Sequence, residues 1–194
     1  MDKWQKAAET LKDGGVVIIP SDSSYGIAAL AQDKKAVEKL YEIKQRDSGK
    51  PSLIIVGSIE QAKKLVAFTP LAEELVTNHW PGGLTLVLRA INKDLSPLIY
   101  GENQTLAVRL PAKKELSDLA NQVGPFILPS ANFNGMKPPF SVAEVALDLI
   151  QLVDYFLDQP TDANQVSTVI DARGEEPVIL RVGAIKITEL ESKN

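Results

Sequence analysis

Six short segments concentrate the side chains that could do chemistry. Pro20-Ser21-Asp22-Ser23-Ser24-Tyr25-Gly26 sets three hydroxyls and a carboxylate behind an apolar run. It reads either as a polar turn or as a loop offering hydrogen bonds to a small polar ligand. Lys44-Gln45-Arg46-Asp47-Ser48-Gly49-Lys50-Pro51 carries Lys44, Arg46 and Lys50 from a helix end into a Gly-Pro turn. Cations there suit the helix dipole without any ligand, yet an arginine and a lysine flanking a glycine turn also suit an anion. Trp80-Pro81-Gly82-Gly83-Leu84-Thr85 reads first as a rigid turn packing an aromatic ring over a sheet. In Thr105-Leu106-Ala107-Val108-Arg109-Leu110-Pro111, Arg109 interrupts an apolar strand, and a guanidinium so placed must find an anion or reach solvent. Pro129-Ser130-Ala131-Asn132-Phe133-Asn134-Gly135 is a small-polar loop, and Ser167-Thr168-Val169-Ile170-Asp171 is followed by Leu180-Arg181-Val182-Gly183.

Arginine is scarce: Arg46, Arg89, Arg109, Arg173 and Arg181 are the full set, and three of them fall inside these segments. The chain has 21 basic and 25 acidic residues and a formal net charge of −4. An acidic protein that sets its few guanidiniums beside serine-rich loops is suited to a local anion pocket and poorly suited to coating nucleic acid. With no cysteine there is no disulfide, thiolate zinc site or cysteine nucleophile, and the single histidine, His79, excludes histidine-rich metal clusters. Neither G-x-x-x-x-G-K-[ST], G-x-G-x-x-G nor G-x-S-x-G occurs. A bound nucleotide would be held by side-chain cations and hydroxyls, with any magnesium arriving on its phosphates.

Trp4, Ala7, Ala8 and Leu11 repeat at helical spacing until Gly14-Gly15. Residues 16–19, 26–31, 53–56, 84–88, 105–110, 126–128, 153–157, 168–171 and 178–182 read as strands. Asp33 caps a helix bearing Val37, Leu40 and Tyr41; Ser58 with Gln61 opens a helix to about Val66; and Pro70 occupies the first position of the next. Residues 113–122 form another helix, and Ser141 with Glu144 opens the last, to about Ile150. Interleaved strands and helices give an α/β or α+β layered domain with helices on a mixed sheet. No linker, repeat or membrane-length apolar run appears, so one domain over 1–194 is expected, cytoplasmic in location. The acid-bearing N-terminal segment is not read as a signal peptide.

Taken in order, the Pro20–Gly26 loop, Lys44-x-Arg46, Trp80-Pro-Gly, Ala107-Val-Arg109, Ser130-Ala-Asn132, Ser167-Thr-Val and Arg181-x-Gly183 resemble the threonylcarbamoyl-AMP synthase (YrdC-like) family, in its short single-domain form. The likeness runs from about residue 14 to 185, and Lys-x-Arg with Ser-x-Asn is its most specific combination. The resemblance implies an α/β twisted open mixed sheet flanked by helices, with a large concave basic cavity. It implies an enzyme that joins L-threonine, bicarbonate and ATP into threonylcarbamoyl-AMP and pyrophosphate, a nucleotidyltransferase whose product a separate threonylcarbamoyl transferase complex uses on tRNA. By the family pattern Ser23, Arg109, the Leu128 backbone and Ser167 hold threonine. Arg46, Lys50, Thr105, Ser130, Asn132, Pro138 and Arg181 hold ATP, Lys44 and Arg46 are catalytic, and Mg2+ comes with ATP without a dedicated protein site. The chain departs from the pattern at Ser21-Asp22 (family Thr-Glu), Asp47 (proline), Lys50 (asparagine), Ile55 (histidine) and Pro138-Pro139-Phe140 (Ser-Pro-Thr). The alternative is a YrdC-like factor that binds double-stranded RNA or tRNA without synthase activity.

Overall fold

The computed structural model describes residues 2–45, 52–161 and 165–186. Arg46 and Lys50, both expected in the site, lie outside these residues. Among the described residues ten strands form one mixed sheet: β1 (Val17–Pro20), β2 (Tyr25–Leu30), β3 (Leu53–Ile55), β4 (Val66–Ala67), β5 (Leu84–Ala90), β6 (Thr105–Arg109), β7 (Phe126–Ile127), β8 (Tyr155–Phe156), β9 (Thr168–Asp171) and β10 (Val178–Arg181). Their order is β10-β9-β5-β6-β3-β7-β2-β1-β8, with β4 beside β5. The β1–β8, β3–β6 and β5–β9 pairs are parallel and the others antiparallel.

The helices are α1 (Lys3–Lys12), α2 (Lys34–Lys44), α3 (Ile59–Lys63), α4 (Pro70–His79), α5 (Lys114–Val123) and α6 (Leu147–Leu152). Asp2, Asp33, Ser58 and Thr69 cap α1 to α4 by accepting backbone N–H groups, and Pro70 opens α4. Helices α1 and α5 cover one sheet face, where Ala8, Leu11, Leu119 and Val123 meet Val17, Ile19, Ala28 and Phe126. Helices α2, α3 and α4 cover the other, where Val37, Leu40, Ala62 and Val76 pack with Ile18, Ile27, Ile54 and Leu86. Strands buried on both faces read as unbroken apolar runs, which is why β1 and β2 are buried at every position.

Two expected helices differ. α3 stops at Lys63, because Val66 turns into the short strand β4 against Ala90. The last helix begins at Leu147 rather than after Ser141: residues Val142–Glu144 form one 3-10 turn, then Val145 turns extended and buries its side chain in the core. Glu144 still reaches back, accepting from the Phe140 amide at 2.9 Å and the Ser141 hydroxyl at 3.0 Å. The expected strand over 153–157 is reduced to Tyr155–Phe156.

At β5, β6 and β9 the sheet keeps one face clear of helices. Leu84, Leu86, Leu88, Leu106, Val108 and Ile170 point into the core under α2–α4. The alternate residues Thr85, Val87, Ala107 and Val169 therefore face the opposite way and form the floor of a hollow.

Candidate functional site

The hollow is a cavity of about 230 Å³. Leu53, Val87, Ala107 and Val169 make an apolar floor, and Ser23, Ser130, Ser167 and Arg181 stand around it as polar wall. Leu128 and Pro138 complete the sides. Every wall residue sits on a loop or edge that leaves a strand end, the usual mounting for binding groups. A second recess of about 490 Å³ adjoins it and shares Pro138, Val166 and Arg181, continuing along Phe140, Val182 and Gly183.

The wall at Ser23 is shaped by its neighbours. Ser21 Oγ donates to the Ser24 carbonyl at 2.6 Å and accepts the Ser23 and Ser24 amides at 3.0 and 3.1 Å. One hydroxyl thus closes the turn locally, as serine does in such loops. Gly26 follows because a Cβ there would stand 2.5 Å from Leu128 Cγ, and Leu128 is the facing wall.

The Ser130 loop is tied from α2. Lys44 is buried, and its Nζ donates to the Ser130 carbonyl at 2.5 Å and the Asn132 carbonyl at 2.6 Å. Ser130 Oγ donates to Asn132 Oδ1 at 2.5 Å, and the Asn132 amide nitrogen donates to the Met136 carbonyl. Lys44 and Asn132 therefore meet at the loop that presents Ser130, and neither lines the cavity. Thr105 is buried with its hydroxyl on the Glu102 carbonyl at 3.0 Å, on the cavity side of β6 but outside the lining.

Arg181 reaches the cavity through a β-bulge. Ile179 pairs with Ile170 and Arg181 with Val169, so Leu180 is the extra residue. A bulge turns two successive side chains toward one face, and Leu180 and Arg181 both line the hollow. The Arg181 guanidinium is fixed on Ser167, Nε donating to its carbonyl at 3.0 Å and Nη2 to its hydroxyl at 2.9 Å. Ser167 Oγ also bonds Thr85 Oγ1 at 2.9 Å. Gly183 is required by close approach: a Cβ there would meet the Val166 carbonyl oxygen at 2.2 Å.

Arg109 is 1% exposed and lies just behind this wall. Its Nη2 donates to Asp22 Oδ2 at 2.8 Å and its Nε to the Gly82 carbonyl at 2.8 Å. The anion that a guanidinium on an apolar strand demands is thus Asp22, supplied by the loop after β1. The Trp80-Pro-Gly segment serves as the expected turn: Trp80 Nε1 donates to the Leu84 carbonyl at 2.8 Å, and its ring meets Phe68 edge-on. Burial pushes the Arg109 guanidinium below its usual pKa, Asp22 opposes that, and the nearby charge of Arg181 adds to it. Burial likewise lowers Arg181. Arg109 is paired with Asp22, and Arg181, which lines the cavity, has hydrogen bonds only to Ser167 among the described residues, so an anion in the cavity would meet its charge.

Of the residues expected to hold threonine, Ser23, Leu128 and Ser167 line the cavity and Arg109 sits behind it. Of those expected to hold ATP, Ser130, Pro138 and Arg181 line it; Thr105 and Asn132 do not. Val87 is a floor residue outside the quoted segments, and Thr85 and Val169 lie within them with no role assigned from the sequence. For Thr85 and Val87 the signal is the alternation in Leu84-Thr85-Leu86-Val87-Leu88, where the leucines mark the covered face. Among the described residues no group of three or more His, Asp or Glu is placed to hold a metal ion, and no helix is long and apolar enough to cross a membrane.

A family model for Sua5/YciO/YrdC proteins, described as telomere recombination, matches residues 9–183. The threonylcarbamoyl-AMP synthase of Bacillus subtilis strain 168 is 34% identical over 190 residues, covering 96% of this chain and 55% of that protein. The threonylcarbamoyl-AMP synthase of Pyrococcus abyssi is 36% identical over 198 residues, covering 98% of this chain and 57% of that protein. The crystal structure of P. abyssi Sua5 complexed with L-threonine superposes with a TM-score of 0.91 at 34% identity, over 99% of this chain and 58% of that one. The chain spans little more than half the length of these relatives.

Proposed function

The chain belongs to the Sua5/YciO/YrdC family, and from that premise we propose that it makes threonylcarbamoyl-AMP and pyrophosphate from L-threonine, bicarbonate and ATP. The observation that carries this reading is the position of Arg181. One anchored guanidinium lines both the hydroxyl-walled cavity and the larger recess beside it. The smaller hollow suits an amino acid, with Ser23, Ser167 and the Leu128 backbone around it and Arg109 as the carboxylate's cation. The recess past Arg181, toward Pro138 and Gly183, suits the nucleotide, with Ser130 between the two.

In this reading the threonine amine captures bicarbonate, releasing water and leaving a carbamate. A carbamate oxygen then attacks the α-phosphorus of ATP and pyrophosphate leaves. Such a transfer asks the protein to hold reactants in line and to stabilise charge, which guanidinium and hydroxyl groups do without a histidine or cysteine base. Arg46 and Lys50 complete the triphosphate's cations, and Lys44 acts through the Ser130–Asn132 loop it holds. Magnesium, when bound, supplies further charge neutralisation on the phosphates. The cavity's donor set of hydroxyls suits an ion that keeps phosphate and water ligands. The adenylate would pass to a threonylcarbamoyl transferase complex acting on tRNA in the cytoplasm. The alternative of an RNA-binding factor without synthase activity is not favoured, since both curated relatives above carry the synthase name.

The test is pyrophosphate release from ATP by the purified chain with bicarbonate and each amino acid in turn. Release that requires both threonine and bicarbonate, and falls by about 10²–10³ in Arg181→Ala, is expected from the loss of one preorganised cation. Release indifferent to the amino acid, or unchanged in Arg181→Ala, refutes the reading.

A further inference from the structure

We propose that the protein holds a second anion site, separate from the cavity, in which Arg89 and Arg173 bind a free phosphate or diphosphate group. Of the five arginines, these are the two to which the synthase reading gives no role. The site stands independently of that reading.

A recess of about 400 Å³ is lined by Ala67, Thr69, Arg89, Asn103 and Arg173, none of which lines the cavity. Sheet topology creates it. Strand β5 pairs with β9 as far as Val87 and Asp171, and with β4 at Arg89 and Ala67. Where one neighbour leaves and the other arrives, the sheet face has a gap, and Ala67 beside Arg89 is too small to fill it. Side chains alternate along β5, so Arg89 shares its face with Val87, a cavity floor residue about 7 Å back along the strand. The walls are fixed. Thr69 Oγ1 donates to the Ala172 carbonyl at 2.7 Å and accepts the Ala72 amide at 3.1 Å, which ties the end of β9 to the start of α4. Opposite, Asn103 and Gln104 both take left-handed backbone, and the Gln104 carbonyl accepts the Ala90 amide at 2.8 Å.

Unused donors gather in this recess. Arg89 has no hydrogen bond or ion pair among the described residues, although acidic residues outnumber basic ones 25 to 21 in the chain. Arg173 spends Nε and Nη2 on Asp171, engaging both carboxylate oxygens, and Nη1 is left over. The Asn103 side-chain amide also has no partner among the described residues. Asp171 does not itself line the recess, so the lining carries two guanidiniums and no carboxylate. A guanidinium fork matches a pair of phosphate oxygens. A tetrahedral phosphate offers acceptors in several directions, enough for the Arg89 fork, Arg173 Nη1 and the Asn103 amide together. A planar carboxylate would be spent on the Arg89 fork alone. A nucleic-acid strand asks for cations repeated along a face, one for each phosphate contact, and this recess is a single station.

The experiment is a titration of the nitrogen-15-labelled chain with inorganic pyrophosphate, and in parallel with acetate, at constant ionic strength, followed on the arginine Nε–H resonances. Five arginines give five such resonances, assigned with Arg89→Gln, Arg173→Gln and Arg181→Ala; Arg181 reports on the cavity separately. The Arg89 and Arg173 resonances are expected to move together, with one midpoint, under pyrophosphate and to stay in place under acetate. Arg89→Gln, at an exposed position, is expected to weaken the midpoint read at Arg173 by about tenfold, the scale of one charge-assisted hydrogen bond. Separate midpoints at the two arginines, an equal response to acetate, or an unchanged Arg173 midpoint in Arg89→Gln overturns the proposal. An Arg89 resonance that answers a short RNA duplex and not pyrophosphate overturns it in favour of a nucleic-acid face. Movement of Arg181 without Arg89 and Arg173 sinks this site and leaves the synthase reading standing. Joint movement of Arg89 and Arg173 in a chain that releases no pyrophosphate from ATP supports the site and sinks that reading.

Discussion

Replacing Arg109 by methionine separates the stability role of the buried pair from any part in catalysis. The substitution keeps an unbranched side chain on β6 and removes the charge. It leaves Asp22, whose side chain is 12% exposed, with the Ala112 amide as its remaining donor among the described residues. Removing one partner of a buried pair costs about 3–5 kcal/mol, because the other charge stays desolvated and uncompensated. Set against a typical total of about 5–15 kcal/mol, that is a large share. At about 2–4 °C per kcal/mol for a chain of this length, Arg109→Met should melt about 6–20 °C below the wild type. Adding Asp22→Asn removes the orphaned charge, and replacement of both members of such a pair is often near neutral. The double variant should therefore recover most of the loss. Urea denaturation at neutral pH measures this directly, with an unchanged slope showing that the denatured state is not what moved. If Arg109→Met is within about 1 kcal/mol of the wild type, or if Asp22→Asn adds to its loss, the pair is not the electrostatic unit described.

Lys44→Met should lose about 2–4 kcal/mol of stability, since two carbonyls of the Ser130 loop lose a charged donor; faster amide hydrogen exchange at Ala131 and Asn134 would locate the effect. Gly183→Ala drives a Cβ against the Val166 carbonyl, so the segment carrying Arg181 must lift from Ser167; KM for ATP should rise about tenfold with little change in the KM for threonine, a split that steady-state kinetics resolves. Asp171 is held below its ordinary value of 3.8 chiefly by hydrogen bonds from Arg173, with burial opposing. A carboxylate depressed in the folded state stabilises fully above that ordinary value and loses the contribution as pH falls below it. Melting scans from pH 5 downward should therefore decline less steeply in Arg173→Ala, by no more than about 1 kcal/mol for a pair this exposed.

Much of the architecture was legible because local rules and tertiary packing agreed. Asp33, Ser58 and Pro70 marked helix starts that the structure keeps. The apolar run over 16–19 and the strand read over 26–31 fall within a residue of β1 (Val17–Pro20) and β2 (Tyr25–Leu30), both buried at every position. Where the two disagreed, tertiary packing prevailed: Val145 enters the core in extended form and delays α6, and Val66 joins β5 instead of extending α3. The site was legible as a set of segments but not as contacts. That Arg109 needed an anion followed from its strand; that the anion is Asp22 depends on sheet order, which puts β3, β7 and β2 between β6 and the loop after β1. The bulge at Leu180 that turns Arg181 inward leaves no mark in Val178-Ile179-Leu180-Arg181, because it arises from pairing with β9. Lys44 read as a catalytic cation from its motif; its bonds to two carbonyls became apparent only once the Ser130 loop was folded against α2.

The most direct measurement is the identity of the product formed when the purified chain is given ATP, L-threonine and carbon-13 bicarbonate. Mass spectrometry should find a threonylcarbamoyl adenylate carrying the label, in step with pyrophosphate. An unlabelled threonyl adenylate, or label left wholly in bicarbonate while ATP is consumed, would contradict the account.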